Sequence, residues 1–298
     1  MTTIAFIGLG HMGGPMAANL VKNGFSVRGF DLSPALVNAA KAAGVFPCAT
    51  LAQALEGADV VITMLPAGKH VLSVWQDLVA ALPAGTLLID CSTIDIESAR
   101  KAHALAAGAA CPSLDAPVSG GTGGAAAATL TFMVGGDPDV FSRTQPIFEA
   151  MGKRIILCGG ASSGQAAKIC NNMILGISMI AVCEAFVLGE KLGLSHQALF
   201  DVASVSSGQC WSLTTYCPVP GPVATSPANS DYRPGFAAAL MLKDLNLAQA
   251  AAQATGSATP LGARASELYD LFNQRGNGER DFSGIISLLR DQSGVETV

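Results

Sequence analysis

A chain of 298 residues, half of them apolar and only 13% charged, is long enough for two domains with generous cores. So few charges leave apolar surface over on a monomer of this size, which points to a homodimer or homotetramer. The net charge of −5, without a basic run, argues against nucleic acid and anionic membrane as partners.

The N-terminus passes from Met1, Thr2 and Thr3 straight into the apolar run Ile4-Ala5-Phe6-Ile7, read as a buried strand. No room is left there for a signal or transit peptide, so a cytoplasmic protein is expected. Gly8-Leu9-Gly10-His11-Met12-Gly13 follows with G-x-G-x-x-G spacing, and Met12, Met16 and Leu20 then recur at helical intervals up to Gly24, a residue suited to a helix stop. A second strand over 25–30 ends in Asp31. Strand, glycines, helix, strand and terminal acid together mark a dinucleotide site. The first glycine permits the tight turn, the second lets backbone approach the pyrophosphate, and the third lets helix pack on strand. Asp31 is placed to accept hydrogen bonds from the adenosine ribose and to repel a 2′-phosphate. No arginine follows it, so NAD is expected over NADP. The competing role, capping a helix that begins at Pro34, falls more naturally to Ser33.

The α/β alternation continues with strands over 59–64 and 86–90, which close on Leu65-Pro66 and on Cys91-Ser92-Thr93. In a parallel sheet such loops face the cofactor, so Leu65, Pro66 and Thr93 are candidate nicotinamide-side contacts; ordinary loop residues are the alternative. A strand-like run over 114–118 leads into Ser119-Gly120-Gly121-Thr122-Gly123-Gly124. Clustered glycines let backbone amides converge on an anion, here a substrate carboxylate, with Ser119 adding a hydroxyl. A flexible surface loop is the other reading.

After strands over 130–134 and 154–157, the pattern from 164 to 193 is one long apolar helix. Glu184 interrupts its most apolar stretch, which favours a buried helix over a membrane span. Near its start, Lys168 stands alone among small and apolar residues, with Asn171 and Asn172 one turn on. Taken singly, such a lysine is more often a snorkelling side chain than a catalyst. Downstream, Trp211 and Tyr216 precede an irregular segment over 217–234, and either plug a core or wall a small polar ligand. Lys243-Asp244, within a helix over 236–254, could be a surface pair. The eight cysteines and four histidines are scattered without ligand spacing, so reduced core cysteines and no metal site are expected.

Four blocks in order, Phe6-Ile7-Gly8-Leu9-Gly10-His11-Met12-Gly13-Gly14-Pro15-Met16, Asp115-Ala116-Pro117-Val118-Ser119-Gly120-Gly121, Gly164-Gln165-Ala166-Ala167-Lys168-Ile169-Cys170-Asn171-Asn172 and Lys243-Asp244, resemble those of the β-hydroxyacid dehydrogenase family, in its 3-hydroxyisobutyrate branch. The resemblance runs to Asp281-Phe282-Ser283. It implies an α/β protein: a Rossmann-type, doubly wound parallel sheet over 1–162 that binds NAD, then an all-helical substrate and dimerisation domain over 163–298, joined by a long helix, with the active site in the cleft. It also implies an oxidoreductase acting on a short 3-hydroxy acid, with Lys168 as general acid/base, Ser119, Gly120 and Gly121 holding the carboxylate, and Asn172 orienting the substrate. Trp211, Tyr216 and Asp244 would line the substrate pocket and Lys243 the cofactor end. Valine catabolism is the implied setting. A sibling acting on serine or tartronate semialdehyde, an imine-reducing relative and a non-catalytic NAD-binding protein are the alternatives. Where the family carries an Asn-Pro-Trp-Pro-like run, this chain has Cys217-Pro218-Val219-Pro220, which implies a reshaped pocket mouth.

Overall fold

A computed structural model describes residues 1–294. They fall into two compact units, Met1–Lys168 and a second from Ile169 onward. In the first, β1 (Thr3–Ile7), α1 (Gly13–Lys22), β2 (Ser26–Phe30), α2 (Pro34–Ala42), β3 (Phe46–Pro47), α3 (Leu51–Leu55), β4 (Val60–Thr63), α4 (Gly68–Ala81), β5 (Leu87–Asp90), α5 (Ile96–Gly108) and β6 (Ser113–Asp115) alternate along the chain. β7 (Val118–Ser119), α6 (Gly121–Ala127), β8 (Leu130–Gly136), α7 (Pro138–Glu149) and β9 (Gly152–Gly159) complete the sheet. Strand order is β3-β2-β1-β4-β5-β6-β8-β7, with β9 also on β8. From β3 to β6 every pairing is parallel.

Side chains on alternate residues of a strand go to opposite faces, and β1 shows it. Ile4 and Phe6 join Met16, Leu20, Phe132 and Phe148 in one core. Ala5 and Ile7 join Val61, Trp75, Leu78 and Leu88 in another. Helices therefore cover both faces, and strands such as β4, buried along its whole length, read as continuous apolar runs. The sheet departs from the all-parallel expectation at its far edge, where β8 runs antiparallel to β6 and β7.

The second unit is helical. It contains the greater part of α8 (Ser163–Lys191), then α9 (His196–Ala203), α10 (Trp211–Thr214), α11 (Ala238–Thr255), α12 (Pro260–Phe272) and α13 (Ile285–Ser293). Its core joins Met179, Cys183 and Phe186 of α8 to Met241 and Leu245 of α11 and to Tyr269 and Phe272 of α12. The glycines of α8 do not break it. A Cβ on Gly176 would lie 3.0 Å from Leu245 and 3.2 Å from Met241 Sδ, so this glycine lets α11 approach closely. By length and composition α8 could cross a membrane, but half of its most apolar window is buried inside the fold. Five of the eight cysteines are buried, whereas Cys170 is exposed, against expectation. It falls on the side of α8 opposite the buried positions Gln165, Lys168, Ile169 and Asn172.

Candidate active site

The glycine loop leaves the end of β1, where the sheet order reverses between β1 and β4 and a crevice opens at the carboxyl edge. Each of its three glycines is required for a different reason. Gly8 has a φ of +95°, and a Cβ there would overlap the Met64 carbonyl oxygen. At Gly13 a Cβ would overlap the carbonyl oxygen of Gly8, so the third glycine sets α1 down on the turn. At Gly10 a Cβ would meet nothing within 4 Å. No protein contact demands glycine there, which fits a backbone kept bare for a pyrophosphate. No side chain caps α1 at Met12; the Gly14 and Met16 amides already donate to the carbonyls of Gly10 and Met12 and Pro15 has none, so an anion would meet the amides of the loop that precede them. The residues present therefore fit a dinucleotide.

Asp31 sits beside this loop. Its Oδ2 accepts from the Leu9 amide at 2.7 Å and its Oδ1 from the Ser33 amide at 2.8 Å. Ser33, expected to cap α2 through its hydroxyl, makes no such bond; the Asp31 carboxylate holds that turn instead. Its remaining lone pairs can still accept from ribose hydroxyls.

The loops after β4 and β5 are tied to one another through groups that the sequence did not single out. The Leu65 amide donates to Ser92 Oγ at 2.8 Å. Asp90 Oδ1 in turn accepts from Ser92 Oγ at 2.6 Å, from the Ser92 amide and from Thr63 Oγ1 at 2.8 Å. Leu65, with Pro66 next to it, and Thr93, next to Ser92, are thereby set at the same edge. Asp90 Oδ2 is buried without a partner. Burial pushes the Asp90 carboxyl up to about 6, against the downward pull of Ser92 and Thr63 and with a further push from the Asp115 charge.

Ser119 ends β7, where it pairs with Thr131. Gly120 and Gly121 follow with φ of +135° and +62°, a conformation side chains disfavour. They turn the chain directly into α6, so the 119–124 segment is not a flexible loop. Ala125 of α6 is fully buried, and its carbonyl accepts from Asn19 Nδ2 of α1 at 2.7 Å.

Lys168 lies in the second turn of α8 and is only 6% exposed. Along this helix Gln165, Lys168, Ile169 and Asn172 are buried while Asn171 is exposed. Asn172 thus shares the Lys168 face and Asn171, expected there too, does not. The first turn is fastened to the carboxyl edge of the sheet. Gln165 Nε2 donates to the Ser92 carbonyl at 2.7 Å, its Oε1 accepts from the Ile94 amide at 3.1 Å, and its own amide donates to Asp115 Oδ2 at 2.8 Å.

In the second unit, Asn172 Nδ2 donates to Asp244 Oδ2 in a short hydrogen bond. Lys243 Nζ lies 3.6 Å from Asp244 Oδ1. Asp244 is 2% exposed, so the pair is not the surface ion pair that the sequence allowed. Trp211 and Tyr216 stack at 4.8 Å between ring centres, and Trp211 is half exposed. The Tyr216 hydroxyl donates to Asp281 Oδ2 at 2.8 Å. Burial, then the Asp281 charge, pushes the Tyr216 phenol far above its ordinary value. Asp281, fully buried, also accepts from the amides of Gly235, Phe236 and Ser283 and from Ser283 Oγ. Cys217 and Val219 are fully buried as well, and of the departing run Pro220 alone is exposed. Among the described residues no cluster of three or more His, Cys, Asp or Glu could hold a metal ion.

Comparison with known proteins accords with these features. Residues 3–160 match the NAD binding domain of 6-phosphogluconate dehydrogenase, and residues 162–289 match the NAD-binding domain of NADP-dependent 3-hydroxyisobutyrate dehydrogenase. A probable 3-hydroxyisobutyrate dehydrogenase of Mycobacterium tuberculosis is 54% identical over 97% of this chain and 98% of its own. An NAD-dependent L-serine dehydrogenase of Pseudomonas aeruginosa is 49% identical over 99% of this chain and 100% of its own. The solved structure of Mycobacterium tuberculosis 3-hydroxyisobutyrate dehydrogenase with L-serine superposes with a TM-score of 0.94, at 54% identity and over 97% of this chain and 99% of that one. With its glycine loop fit for a dinucleotide and relatives of this identity along its whole length, the chain belongs to the 3-hydroxyisobutyrate dehydrogenase family and is an NAD-dependent hydroxy acid dehydrogenase.

Proposed function

We propose that the chain oxidises 3-hydroxyisobutyrate to methylmalonate semialdehyde, in valine catabolism, with Lys168 as the general acid/base. The observation that carries this reading is a buried lysine in the second turn of a helix whose first turn is fastened to the loop after β5. NAD, when bound, supplies the acceptor for the carbinol hydride. Ser119, with the amides of Gly120 and Gly121, holds the substrate carboxylate. Lys168 takes the hydroxyl proton during oxidation and returns it during reduction. Asn172, oriented by its bond to Asp244, directs the substrate, and Trp211 and Tyr216 flank its carbon skeleton. Lys243 serves the cofactor end, Leu65, Pro66 and Thr93 the nicotinamide side, and Asp31 selects NAD over NADP. Exposed Leu188, Leu192, Val202 and Val205, in α8, α9 and the turns that follow each, support a homodimer or homotetramer formed through residues 163–298. A cytoplasmic setting is part of the same reading.

Lys168→Ala should lower kcat by 10²–10⁴-fold, the usual share of acid/base catalysis, with NADH binding intact. Near-wild-type turnover would remove Lys168 from the mechanism. A second substrate, L-serine, is favoured by the name of the Pseudomonas aeruginosa relative and by the serine in the structural neighbour. NADH formation with 3-hydroxyisobutyrate and with L-serine separates the two: the larger kcat/KM identifies the substrate.

A further inference from the structure

The helix that carries Lys168 begins on a carboxylate supplied by another strand. Asp115, the last residue of β6, is 2% exposed. Its Oδ1 accepts from the Ser162 amide at 2.8 Å and from His103 Nε2 at 2.9 Å, and its Oδ2 accepts from the Gln165 amide at 2.8 Å. The first amides of a helix have no partner within it, and an N-cap side chain normally supplies one. Here the cap comes from 47 and 50 residues away, and it is charged, which the helix dipole favours. His103 is itself held by Ser113, with Nδ1 at 2.8 Å from Ser113 Oγ, so the carboxylate cannot rotate freely away from the helix.

The surroundings leave no slack. A Cβ on Gly135 would overlap Asp115 Oδ1 and lie 2.7 Å from the Gly164 amide nitrogen. A Cβ on Gly164 would overlap the Met133 carbonyl oxygen and lie 2.8 Å from the Asp115 carbonyl oxygen. Two glycines thus let the end of α8 rest directly on β6 and β8. Beside the cap, Gln165 brackets Thr93 through the Ser92 carbonyl and the Ile94 amide. Lys168 is the next residue on the buried face. Each residue of an α-helix advances about 1.5 Å and turns about 100°, so fixing the amides of residues 162 and 165 fixes the depth and bearing of the Lys168 stem.

We infer that Asp115 is the positioning residue for Lys168: its carboxylate sets the register of α8 on the sheet and so aims the lysine. Asp115 also opens the 115–121 segment that carries Ser119, so a single side chain spaces the acid/base relative to the carboxylate holder. The inference rests on Lys168 being the acid/base.

The test is a double-mutant cycle in the full-length protein. Asp115→Asn keeps the size but presents an amide donor toward a backbone amide. Asp115→Ser, a neutral capping side chain, is too short to reach both amides. Either change should lower kcat by roughly 10–100-fold, as sub-ångström to ångström misplacement of a catalytic group does, while the Kd for NADH stays within about twofold. In a Lys168→Ala background the same changes should leave the residual kcat unaltered, since there is no lysine left to aim. An equal loss in both backgrounds, or no loss in either, overturns the positioning role. So does failure of both variants to bind NADH, which would make Asp115 a support of the whole fold. Near-wild-type turnover by Lys168→Ala alone would instead sink the acid/base reading, and the cycle shows which of the two has failed.

Discussion

Asp90 gives a stability test that needs no substrate. Its carboxyl titrates near 6 in the folded protein, against an ordinary 3.8, chiefly because it is buried. The folded state therefore holds this proton more tightly than the unfolded chain does. The resulting stabilisation is complete below 3.8 and is lost as pH rises through about 6. The gap of about 2 pH units, at about 1.36 kcal/mol each, corresponds to about 3 kcal/mol. Asp90→Asn is close to isosteric and cannot titrate. Its oxygen can still accept from Thr63 and Ser92, and its NH₂ takes the place of Oδ2, which has no partner. Urea unfolding of both proteins from pH 4 to pH 7 gives the measurement, because titrations common to the two cancel in the difference. The wild type should lose most of about 3 kcal/mol relative to Asp90→Asn across that interval. A difference that stays flat, or that moves toward the wild type with rising pH, refutes the reasoning.

Two further substitutions separate cofactor binding from folding, and a third tests the hydrogen bond from Tyr216 to Asp281. Gly10→Ala places its methyl in open space, so the thermal midpoint should hold while the NADH Kd, followed by fluorescence titration, rises roughly tenfold or more. Gly13→Ala drives its methyl into the Gly8 carbonyl and should cost about 1–3 kcal/mol in chemical unfolding; equal behaviour of the two would undo the assignment of separate roles. Tyr216→Phe removes one of the donors to Asp281 while keeping the ring, and should cost about 1 kcal/mol by the same method. A neutral result would mean that water replaces the hydroxyl.

Local spacing made the cofactor half of this protein readable. The three glycines of the β1 loop and Asp31 at the end of β2 stand at recognisable intervals along the chain, although what demands glycine at Gly8 is the distant Met64 carbonyl. Lys168 and Asn172 were readable together because a helix brings positions four apart onto one face. Adjacent positions differ by about 100°, which is why Asn171 and Asn172 could not be told apart by spacing. That a helix starts within the glycine-rich 119–124 stretch was hidden for another reason. Its intrinsic helix propensity is poor, and α6 forms because Ala125 packs beneath α1 and receives the Asn19 amide, a partner 106 residues distant. The supports of the site were illegible in the same way. Gln165 reaches back 73 residues to Ser92, and Asp115 reaches forward to the start of α8. Nothing in the residue type distinguishes such a partner from an ordinary polar side chain.

The bond between Tyr216 and Asp281 spans 65 residues, and it has a consequence for how the protein is made. At about 5–20 residues per second, synthesis needs about 3–13 s to pass from Tyr216 to Asp281. Throughout that interval the phenol, the Trp211 ring stacked on it and the amides of Gly235 and Phe236, once made, lack the carboxylate that gathers them. The sheet with its glycine loop can fold while the ribosome is still working on the helical unit. The proposed substrate aromatics reach their final arrangement only as the last helix emerges, so a nascent chain stalled before Asp281 should bind NADH yet turn over no hydroxy acid.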